Sequence, residues 1–542
     1  MISSTPPSTK KRGSPTEPAP KPSGVTVVSL LAKLGPRLLL LLVLALSTWL
    51  GFAQFTPPAV VPANAPATEF SAERAMTELR TIAQKPHPMG SPASAEVRTY
   101  LIQQIRAMGL TPEVQTTTVI QHWPDHDNYW VATVHNVVVR LKGTANTQAI
   151  LLDAHYDSAA TGPGASDNGA AVVTLLETMR ALTAGPPLKN DIIFVFADGE
   201  ERMDVGAHAF ATQHPWMQEV GLALNFEAMG TRGATELFDS SPQDGWLITE
   251  FLKAAPYPLA NSFMVNLFKA FSATQMGMDL QEYLDRGSAG LDFVYTGDLP
   301  AYHTMRDNVQ VIDAHSIQHD GSYALSLVRH FGSMDLSTMP RAPDEVFFNL
   351  LPGVVVHYSS TWALPLAGLV VLLFLSMLIL GFRRTRLTVG GFALGVLAFP
   401  VSLIGTLLLL IVASLGLKLV NPNYQVVMAG TYGLDLMVLG LAALAIAVMS
   451  ALFLWLRRRI RLLNLAAGAL VWWAILLVGS SLFYPAGSFL FTWPLLFSVL
   501  ALGWLFFMKE PAARPWLRTA ILAVAAAPGI VLLPPANAIR HD

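Results

Sequence analysis

Five short polar segments of the sequence carry side chains that could bind metal ions or transfer protons. They are, in chain order, HYDS (155–158), GASDNGA (164–170), DGEE (198–201), NFEAMG (225–230) and YHTMRDN (302–308). Their potential metal ligands are His155, Asp167, Glu201, Glu227 and His303. Imidazole and carboxylate ligands without sulfur suit Zn²⁺, and Mn²⁺ or Co²⁺ would also fit. The chain contains no cysteine, so thiolate metal sites, disulfides and a cysteine nucleophile are excluded.

Several of these residues follow apolar runs that are typical of buried strands. The runs are AILLDA (149–154) before His155, DIIFVFAD (191–198) before Glu200 and Glu201, and GLALNF (221–226) before Glu227. Open α/β sheets bind ligands outside the carboxyl ends of their strands, so we expect these side chains to meet there. Acidic side chains avoid such a place unless they are paired or bind a cation. A buried histidine and a helix-capping aspartate remain the alternative for His155 and Asp167 taken alone.

The number of ligands fits two metal ions. In this interpretation Asp167 bridges both ions, His155 and Glu227 complete one set, and Glu201 and His303 complete the other. Each ion then has three protein ligands and an open position for water, as a catalytic zinc site requires. Paired ions of this kind occur in aminopeptidases. Glu200, which is adjacent to a ligand, would be the general base that moves a proton from water to the leaving amine.

The order of these segments resembles peptidase family M28. From RTIAQKPHPMGS (80–91) to YHTMRDN, the sequence is similar to the co-catalytic zinc metallopeptidases of that family. The similarity is greatest to the membrane-bound branch, the endoplasmic-reticulum metallopeptidase type and its bacterial relatives. The resemblance implies two Zn²⁺ per chain, with the ligands and the base named above. It also implies that Tyr302 donates a hydrogen bond to the tetrahedral oxyanion and that Asp157 orients His155.

Two positions depart from the family pattern. Glu227 stands where many soluble members have aspartate, although its longer side chain still reaches a metal. Met229 stands where a small or basic residue is expected. By the same analogy Asp279 lies near the substrate cleft, with no role assigned to it.

The surrounding elements indicate the fold class. Amphipathic helix patterns at 71–84 and 94–109 precede near-continuous apolar strands separated by further helices. Such strands belong to a sheet that is covered on both faces. The sequence pattern therefore predicts an α/β sandwich, and the resemblance implies the M28-type α/β/α sandwich with a mixed central sheet.

Long apolar runs flank this domain, and 52% of all residues are hydrophobic. The sequence predicts a disordered basic cytoplasmic tail (1–36), a transmembrane anchor (37–54), a linker (55–67), the M28-like domain (68–335), a connector (336–361) and a membrane domain of about six spans (362–542). A cleaved signal peptide is the alternative to the anchor. The last span is short and contains several prolines.

The basic residues predict an orientation for this multi-pass protein. RRTR (383–386), RRRIR (457–461) and the 509–518 segment lie between apolar runs, and we expect them in the cytoplasm. The M28-like domain then lies outside the cytoplasm, in a bacterial periplasm or, in a eukaryote, in the endoplasmic reticulum or vacuolar lumen. The sequence shows no basic face for nucleic acid.

These observations together predict a membrane-anchored zinc exopeptidase, an aminopeptidase that removes amino-terminal residues from peptides. Glutaminyl cyclase or carboxypeptidase activity on the same fold remains an alternative. A non-catalytic receptor or scaffold is a third, although such proteins lose metal ligands and this set is complete. Transport by the carboxyl-terminal spans is disfavoured because their interiors carry almost no ionisable residues apart from Asp435. The oligomeric state is not predicted.

Overall fold

The computed structural model describes residues 27–123, 128–272, 278–421, 434–508 and 515–532. Residues 1–26, most of the predicted tail, lie outside these ranges. Helix α1 covers Val27–Ala53, so it begins upstream of the expected anchor start at Arg37. Asp435 lies at the start of a described helix, but its side chain is not among the described ones.

A seven-stranded mixed sheet forms the centre of the domain at 68–335, called here the sheet domain. Its strands are β1 (Glu113–Trp123), β2 (Asn128–Leu141), β3 (Ala149–His155), β4 (Ile192–Ala197), β5 (Val220–Ala228), β6 (Glu236–Ser240) and β7 (Ala289–Tyr295). Their order across the sheet is β1-β2-β4-β3-β5-β7-β6. Strands β3, β4, β5 and β7 are mutually parallel, whereas β1, β2 and β6 pair antiparallel with their neighbours.

Helices cover both faces of this sheet. They are α2 (Ala72–Ile82), α3 (Pro92–Ala107), α4 (Ala171–Thr183), α5 (Val205–Gln213), α6 (Gly245–Ala254), α7 (Ser262–Ser272), α8 (Asp279–Leu284) and α9 (Ala314–Ser333). Successive side chains of a strand point to opposite faces. Accordingly, Ile150 and Leu152 of β3 join the core that contains α2, α4 and α9, whereas Leu151 joins the core under α5 and α8. The predicted α/β/α sandwich with a mixed sheet is confirmed.

The segment predicted as a connector contains a hairpin. Strands β8 (Glu345–Leu351) and β9 (Val354–Ser359) pair antiparallel. Phe347 of β8 is fully buried in the main core of the sheet domain. The sheet domain therefore depends on residues beyond its predicted end at 335.

Six described helices are long and apolar enough to cross a membrane. They are Leu34–Ala53, Ser360–Arg383, Val389–Val420, Leu436–Leu456, Leu462–Phe483 and Phe489–Phe507. The helices of this region are α1 with α10 (Ala363–Arg383), α11 (Val389–Val420), α12 (Leu434–Leu456), α13 (Leu462–Phe483), α14 (Phe489–Phe507) and α15 (Pro515–Val531). Helix α15, the predicted last span, has 17 residues, fewer than the roughly 20 that usually cross a bilayer.

Small residues allow two of these helices to pack closely. A Cβ added at Gly468 of α13 would lie 2.3 Å from the carbonyl carbon of Gly395 in α11. Gly391 and Gly395 are four residues apart, the spacing that lets membrane helices bring their backbones together. Near this contact, Thr388 N donates to Asn464 Oδ1 over 3.1 Å.

The sheet domain docks on one end of the helical bundle. Ser262 Oγ of α7 donates to the Ala486 carbonyl over 2.7 Å, and the Tyr484 hydroxyl donates to the Phe263 carbonyl over 2.6 Å. Ala486 lies in the turn between α13 and α14. At the other end of the bundle, Arg386 Nη2 donates to the Met508 carbonyl over 2.7 Å. The RRTR segment therefore lies at the end of the bundle opposite the sheet domain.

Candidate metal and catalytic site

The carboxyl ends of three adjacent strands bring the predicted ligands together. His155 is the last residue of β3, and Glu227 is the second-to-last residue of β5. Strand β3 lies between β4 and β5 and runs parallel to both. Glu200 and Glu201 follow β4 after Gly199, whose φ of 92° is readily adopted only by glycine. The sheet topology therefore places these ligands at one edge.

Two groups of potential ligands occur among the described residues. One contains His155, Glu200 and Glu227, and the other contains Asp167, Glu201 and His303. Within each group the ligand atoms all lie within 4.8 Å of one another. All five predicted ligands and the predicted base are thus part of one cluster.

Asp167 connects the two groups. Its Oδ1 lies 3.2 Å from His155 Nε2, and its Oδ2 lies 3.1 Å from His303 Nε2. Each histidine also faces a glutamate, because His155 Nε2 is 3.3 Å from Glu227 Oε2 and His303 Nε2 is 3.2 Å from Glu201 Oε2. This is the arrangement expected of a carboxylate that is shared by two ions.

Glu200 lies slightly farther from the histidine than the other carboxylates. Its Oε2 is 3.6 Å from His155 Nε2, and its side chain is 20% exposed, against 10% for Glu227. Distance alone would allow Glu200 to be a ligand. Asp167, by contrast, contacts both histidines through separate oxygens.

Asp157 holds both His155 and the turn that carries Glu200. His155 Nδ1 lies 3.0 Å from the Asp157 carbonyl oxygen, so this nitrogen can donate to it while Nε2 faces the carboxylates. The Asp157 carboxylate accepts from Gly199 N over 2.8 Å and from Glu200 N over 3.1 Å. The contact with the imidazole is thus made by the Asp157 backbone carbonyl, while the carboxylate that the resemblance implied lies 3.4 Å from Nδ1.

Two further residues order the segment around Asp167, and the sequence reasoning assigned neither of them a role. The buried Asp307 carboxylate accepts from Ser166 N over 2.6 Å and from Asp167 N over 3.0 Å. Asn168 Nδ2 donates to Glu227 Oε2 over 3.0 Å. Both lie inside the recognised segments YHTMRDN and GASDNGA, which was the only signal that could have identified them.

Tyr302 lies beside the cluster and stacks on His303, with ring centroids 3.7 Å apart. Burial raises the pKa of its hydroxyl, and the neighbouring charges of Asp167 and Glu200 raise it further. The hydroxyl therefore stays protonated at neutral pH. It can donate a hydrogen bond to a group that enters the site.

The donor set fits divalent cations. Three buried atoms of the cluster have no hydrogen-bond partner among the described residues: His155 Nε2, Asp167 Oδ2 and Glu201 Oε1. Without a cation, burial raises the pKa of Glu227 and of Glu201. Burial opposes protonation of His303, but the neighbouring carboxylates of Asp167 and Glu201 raise its pKa to about 10. Nitrogen and oxygen ligands converging without a lysine or arginine are typical of a zinc site.

Asp279, which the resemblance placed near the substrate cleft, belongs to neither ligand group. Both of its carboxylate oxygens are buried without a hydrogen-bond partner among the described residues. Burial raises its pKa well above the usual range, and the charges of Asp153 and Asp204 add to the effect. Met229, which departs from the family pattern, packs with Phe238 and Phe268 beside the carboxyl end of β5.

Comparison with known proteins identifies a family for this region. Residues 136–328 match the model of peptidase family M28. Endoplasmic reticulum metallopeptidase 1 of Mus musculus is 32% identical over 233 residues, which are 42% of this chain and 26% of the relative. The vacuolar membrane protease of Schizosaccharomyces pombe is 25% identical over 468 residues, which are 83% of this chain and 54% of the relative. The chain thus spans about a quarter to a half of these relatives.

Among solved structures, the aminopeptidase from Aneurinibacillus sp. strain AM-1 aligns with 49% of this chain and 95% of its own, at 14% identity and a TM-score of 0.39. The matched family model covers β3, β4 and β5 and all five ligand segments. Residues 136–328 are therefore a peptidase family M28 domain, in a chain similar to membrane-bound metallopeptidases of that family.

Proposed function

We propose that this protein is a membrane-anchored dinuclear zinc aminopeptidase. The observation that carries the proposal is the cluster itself, in which Asp167 faces two histidines through its two oxygens. His155, Asp167 and Glu227 would hold one zinc ion, and Asp167, Glu201 and His303 would hold the second. When bound, the ions would polarise the scissile carbonyl and lower the pKa of a water molecule.

The side chains then have separate tasks in hydrolysis. Glu200 accepts a proton from the attacking water as the new carbon–oxygen bond forms, and it delivers this proton to the amine nitrogen as the carbon–nitrogen bond breaks. Tyr302 donates its hydroxyl hydrogen to the oxygen that gains negative charge. Asp157 keeps His155 and the Glu200 turn in register.

The charge of the occupied site does not distinguish the two ends of a peptide. Four carboxylates and two histidines make up the cluster. Two bound zinc ions would balance the four carboxylate charges, so the site would carry little net charge. The experiment below therefore compares peptides with free and blocked ends.

The test uses the full chain purified in detergent, because Phe347 lies beyond the sheet domain yet is buried in its core. Zinc is measured by elemental analysis while the protein is incubated with one peptide in free, amino-acetylated and carboxyl-amidated forms. We expect about two zinc per chain, and stepwise release of amino-terminal residues that acetylation blocks and amidation does not. Absence of zinc would contradict the metal assignment and the function built on it.

The alternatives give different results in the same experiment. Cleavage that amidation blocks would indicate a carboxypeptidase. Loss of ammonia from a peptide with amino-terminal glutamine, with one zinc per chain, would indicate a glutaminyl cyclase. Bound zinc with no turnover of any peptide would favour a receptor or scaffold.

The side of the membrane is part of the proposal. The RRTR segment, which we expect in the cytoplasm, lies at the end of the bundle away from the docked sheet domain. Arginines that flank membrane spans favour the cytoplasmic side. The M28 domain would therefore act outside the cytoplasm, on peptides in a periplasm or an organelle lumen.

A further inference from the structure

The hairpin β8–β9 separates the sheet domain from the membrane helices and has two apolar faces. On one face, Phe347 packs in the core of the sheet domain, and Asn349 Oδ1 accepts from Ala260 N over 2.9 Å. On the other face, Val346 and Phe348 pack with Phe489 of α14. Successive residues of a strand point to opposite sides, so one strand contacts both domains.

The second face of the hairpin rests at the level where α14 begins. Phe348 stacks on Phe489, the first residue of α14, with ring centroids 4.6 Å apart and planes 11° apart. Its ring centroid also lies 6.5 Å from that of Trp493, which is four residues further along α14. Four residues of an α-helix rise about 6 Å. The hairpin therefore lies along the end of the bundle, at the depth of the first turn of a span.

Among the described residues, protein covers the base of this face and leaves the side chains at its tip partly exposed. Val356 and Tyr358 of β9 join Phe348 in the contact with the membrane helices. At the tip, Leu350, Leu351 and Val354 are 40%, 39% and 47% exposed. Leu351 pairs with Val354, which lies two residues before Val356 and thus on the same face of β9. The exposed tip continues the face that contacts the bundle.

The tip has the composition of a segment that enters the membrane interface. Residues 346–356, VFFNLLPGVVV, contain no charged side chain. From Phe348 the strand extends about 10 Å further to Leu351 at the usual rise per residue. Trp362, directly after the hairpin, is 58% exposed, and tryptophan is enriched at membrane surfaces.

We propose that the tip of this hairpin, residues 350–354, inserts into the interfacial region of the bilayer beside α14. The apolar face is continuous with the contact that the hairpin already makes with a membrane-spanning helix. Beyond the edge of the bundle, lipid is the apolar surface at that depth. The hairpin would then hold the M28 domain at a fixed height and tilt over the membrane, independently of its catalytic activity.

The chain has no cysteine, so single labels can be placed without background. Leu350→Cys and Val354→Cys would each carry a solvent-sensitive fluorophore in the full chain, reconstituted into phosphatidylcholine nanodiscs. Leu372→Cys on α10, where the side chain is 64% exposed, is the lipid-facing control. Ala107→Cys on α3 is the water-facing control. Retained zinc content shows that each variant folds.

We expect both tip labels to emit at shorter wavelength than the label at residue 107. Lipids with a nitroxide high on the acyl chain should quench them at least half as strongly as the label at residue 372. Aqueous iodide should quench them at least twofold less than the label at residue 107. Strong iodide quenching without lipid quenching would overturn the proposal. Shielding from both quenchers would also overturn it, because the tip would then be covered by protein, for instance a second copy.

Discussion

Glu200 and Glu201 are neighbours in the sequence, but their environments differ. Glu201 faces His303 at 3.2 Å with a side chain that is 10% exposed. Glu200 is 20% exposed and stands 3.6 Å from the nearest histidine nitrogen. The more exposed carboxylate is free to approach a substrate, whereas the less exposed one is held among ligands. We therefore expect that Glu200 is dispensable for metal binding.

Glu200→Gln should keep both zinc ions and lose turnover, because the amide cannot accept the proton of the attacking water. A general base contributes about 10²- to 10⁴-fold. The decrease should appear in kcat, measured on a free peptide together with zinc content. Glu96→Gln on the exposed face of α3 is the matched control and should leave kcat unchanged. Near-normal turnover of the Glu200 variant would exclude this residue as the base.

Asp307 illustrates a role that residue type and spacing do not reveal. The ligands were predictable because acidic residues at strand ends need a cation. Asp307 instead accepts hydrogen bonds from the backbone of Ser166 and Asp167, which are about 140 positions earlier in the sequence. A contact with backbone leaves no complementary side chain to recognise. Its position became apparent only from the fold.

Asp307→Asn should weaken zinc binding by about 10- to 100-fold, as losses of residues that orient ligands do. The amide can accept only one of the two N–H groups well, so the bridging carboxylate of Asp167 would be less firmly placed. Competition with a chelator measures the affinity. Asp307→Glu keeps the negative charge and should retain part of the zinc affinity. Asp285→Asn on the surface should leave the affinity unchanged. Unchanged chelator competition for Asp307→Asn would contradict this role.

The response of stability to zinc should depend on pH. Burial raises the pKa of Glu201 and Glu227 above about 4.5 in the zinc-free protein, so the folded state holds more protons than the unfolded one. Its stability therefore falls as pH rises through these elevated pKa values. Bound zinc keeps the carboxylates ionised and removes this loss.

Thermal unfolding of the full chain with zinc and with chelator should show a difference that grows as the pH rises above 4.5, the ordinary glutamate pKa. His155→Ala, which removes a ligand, should show little difference at either pH. A zinc effect that is constant with pH would mean that the buried carboxylates are not protonated in the zinc-free protein.

At the scale of elements, the hydrophobic pattern predicted the strands and helices that neighbouring residues specify. The parallel strands and the long apolar helices are continuous apolar runs, and the structure has them near their expected positions, except that the last helix, α15, has only 17 residues. The hairpin β8–β9 was missed because both of its faces are apolar, so the sequence VFFNLLPGVVVHY lacks alternation. The Pro-Gly pair at 352–353 was the available turn signal. The two faces of the hairpin are buried by contacts with distant parts of the chain, which the sequence of this segment alone does not specify.

The crossing of α11 and α13 offers a matched pair of glycines. A Cβ at Gly468 would lie 2.3 Å from backbone of α11, whereas one at Gly479 in the same helix would meet nothing within 4 Å. Gly468→Val should therefore lower the free energy of unfolding by about 1–3 kcal/mol through overpacking. Gly479→Val carries the same change in helix propensity without the clash. Thermal unfolding in detergent compares the two, and equal midpoints would show that the helices can separate without cost.

At the scale of the whole molecule, the two domains contact each other at one end of the bundle. The turn that contains Ala486 contacts α7, and the hairpin contacts both domains. Helices α10, α13 and α14 each run between this end and the end that carries Arg386. One orientation of the chain therefore sets the side of the described ends of these helices, and one labelled position at each end tests it.

Ala107→Cys in the sheet domain and Thr385→Cys between the arginines at the opposite end are the two positions to compare. Both residues are exposed, and the chain contributes no other thiol. In intact cells or spheroplasts, a membrane-impermeant maleimide should label the cysteine at 107 at once. The cysteine at 385 should react only after the membrane is permeabilised, because flanking arginines retain their loop in the cytoplasm. The reverse pattern would place the M28 domain in the cytoplasm, and the proposed substrates would then be cytoplasmic peptides.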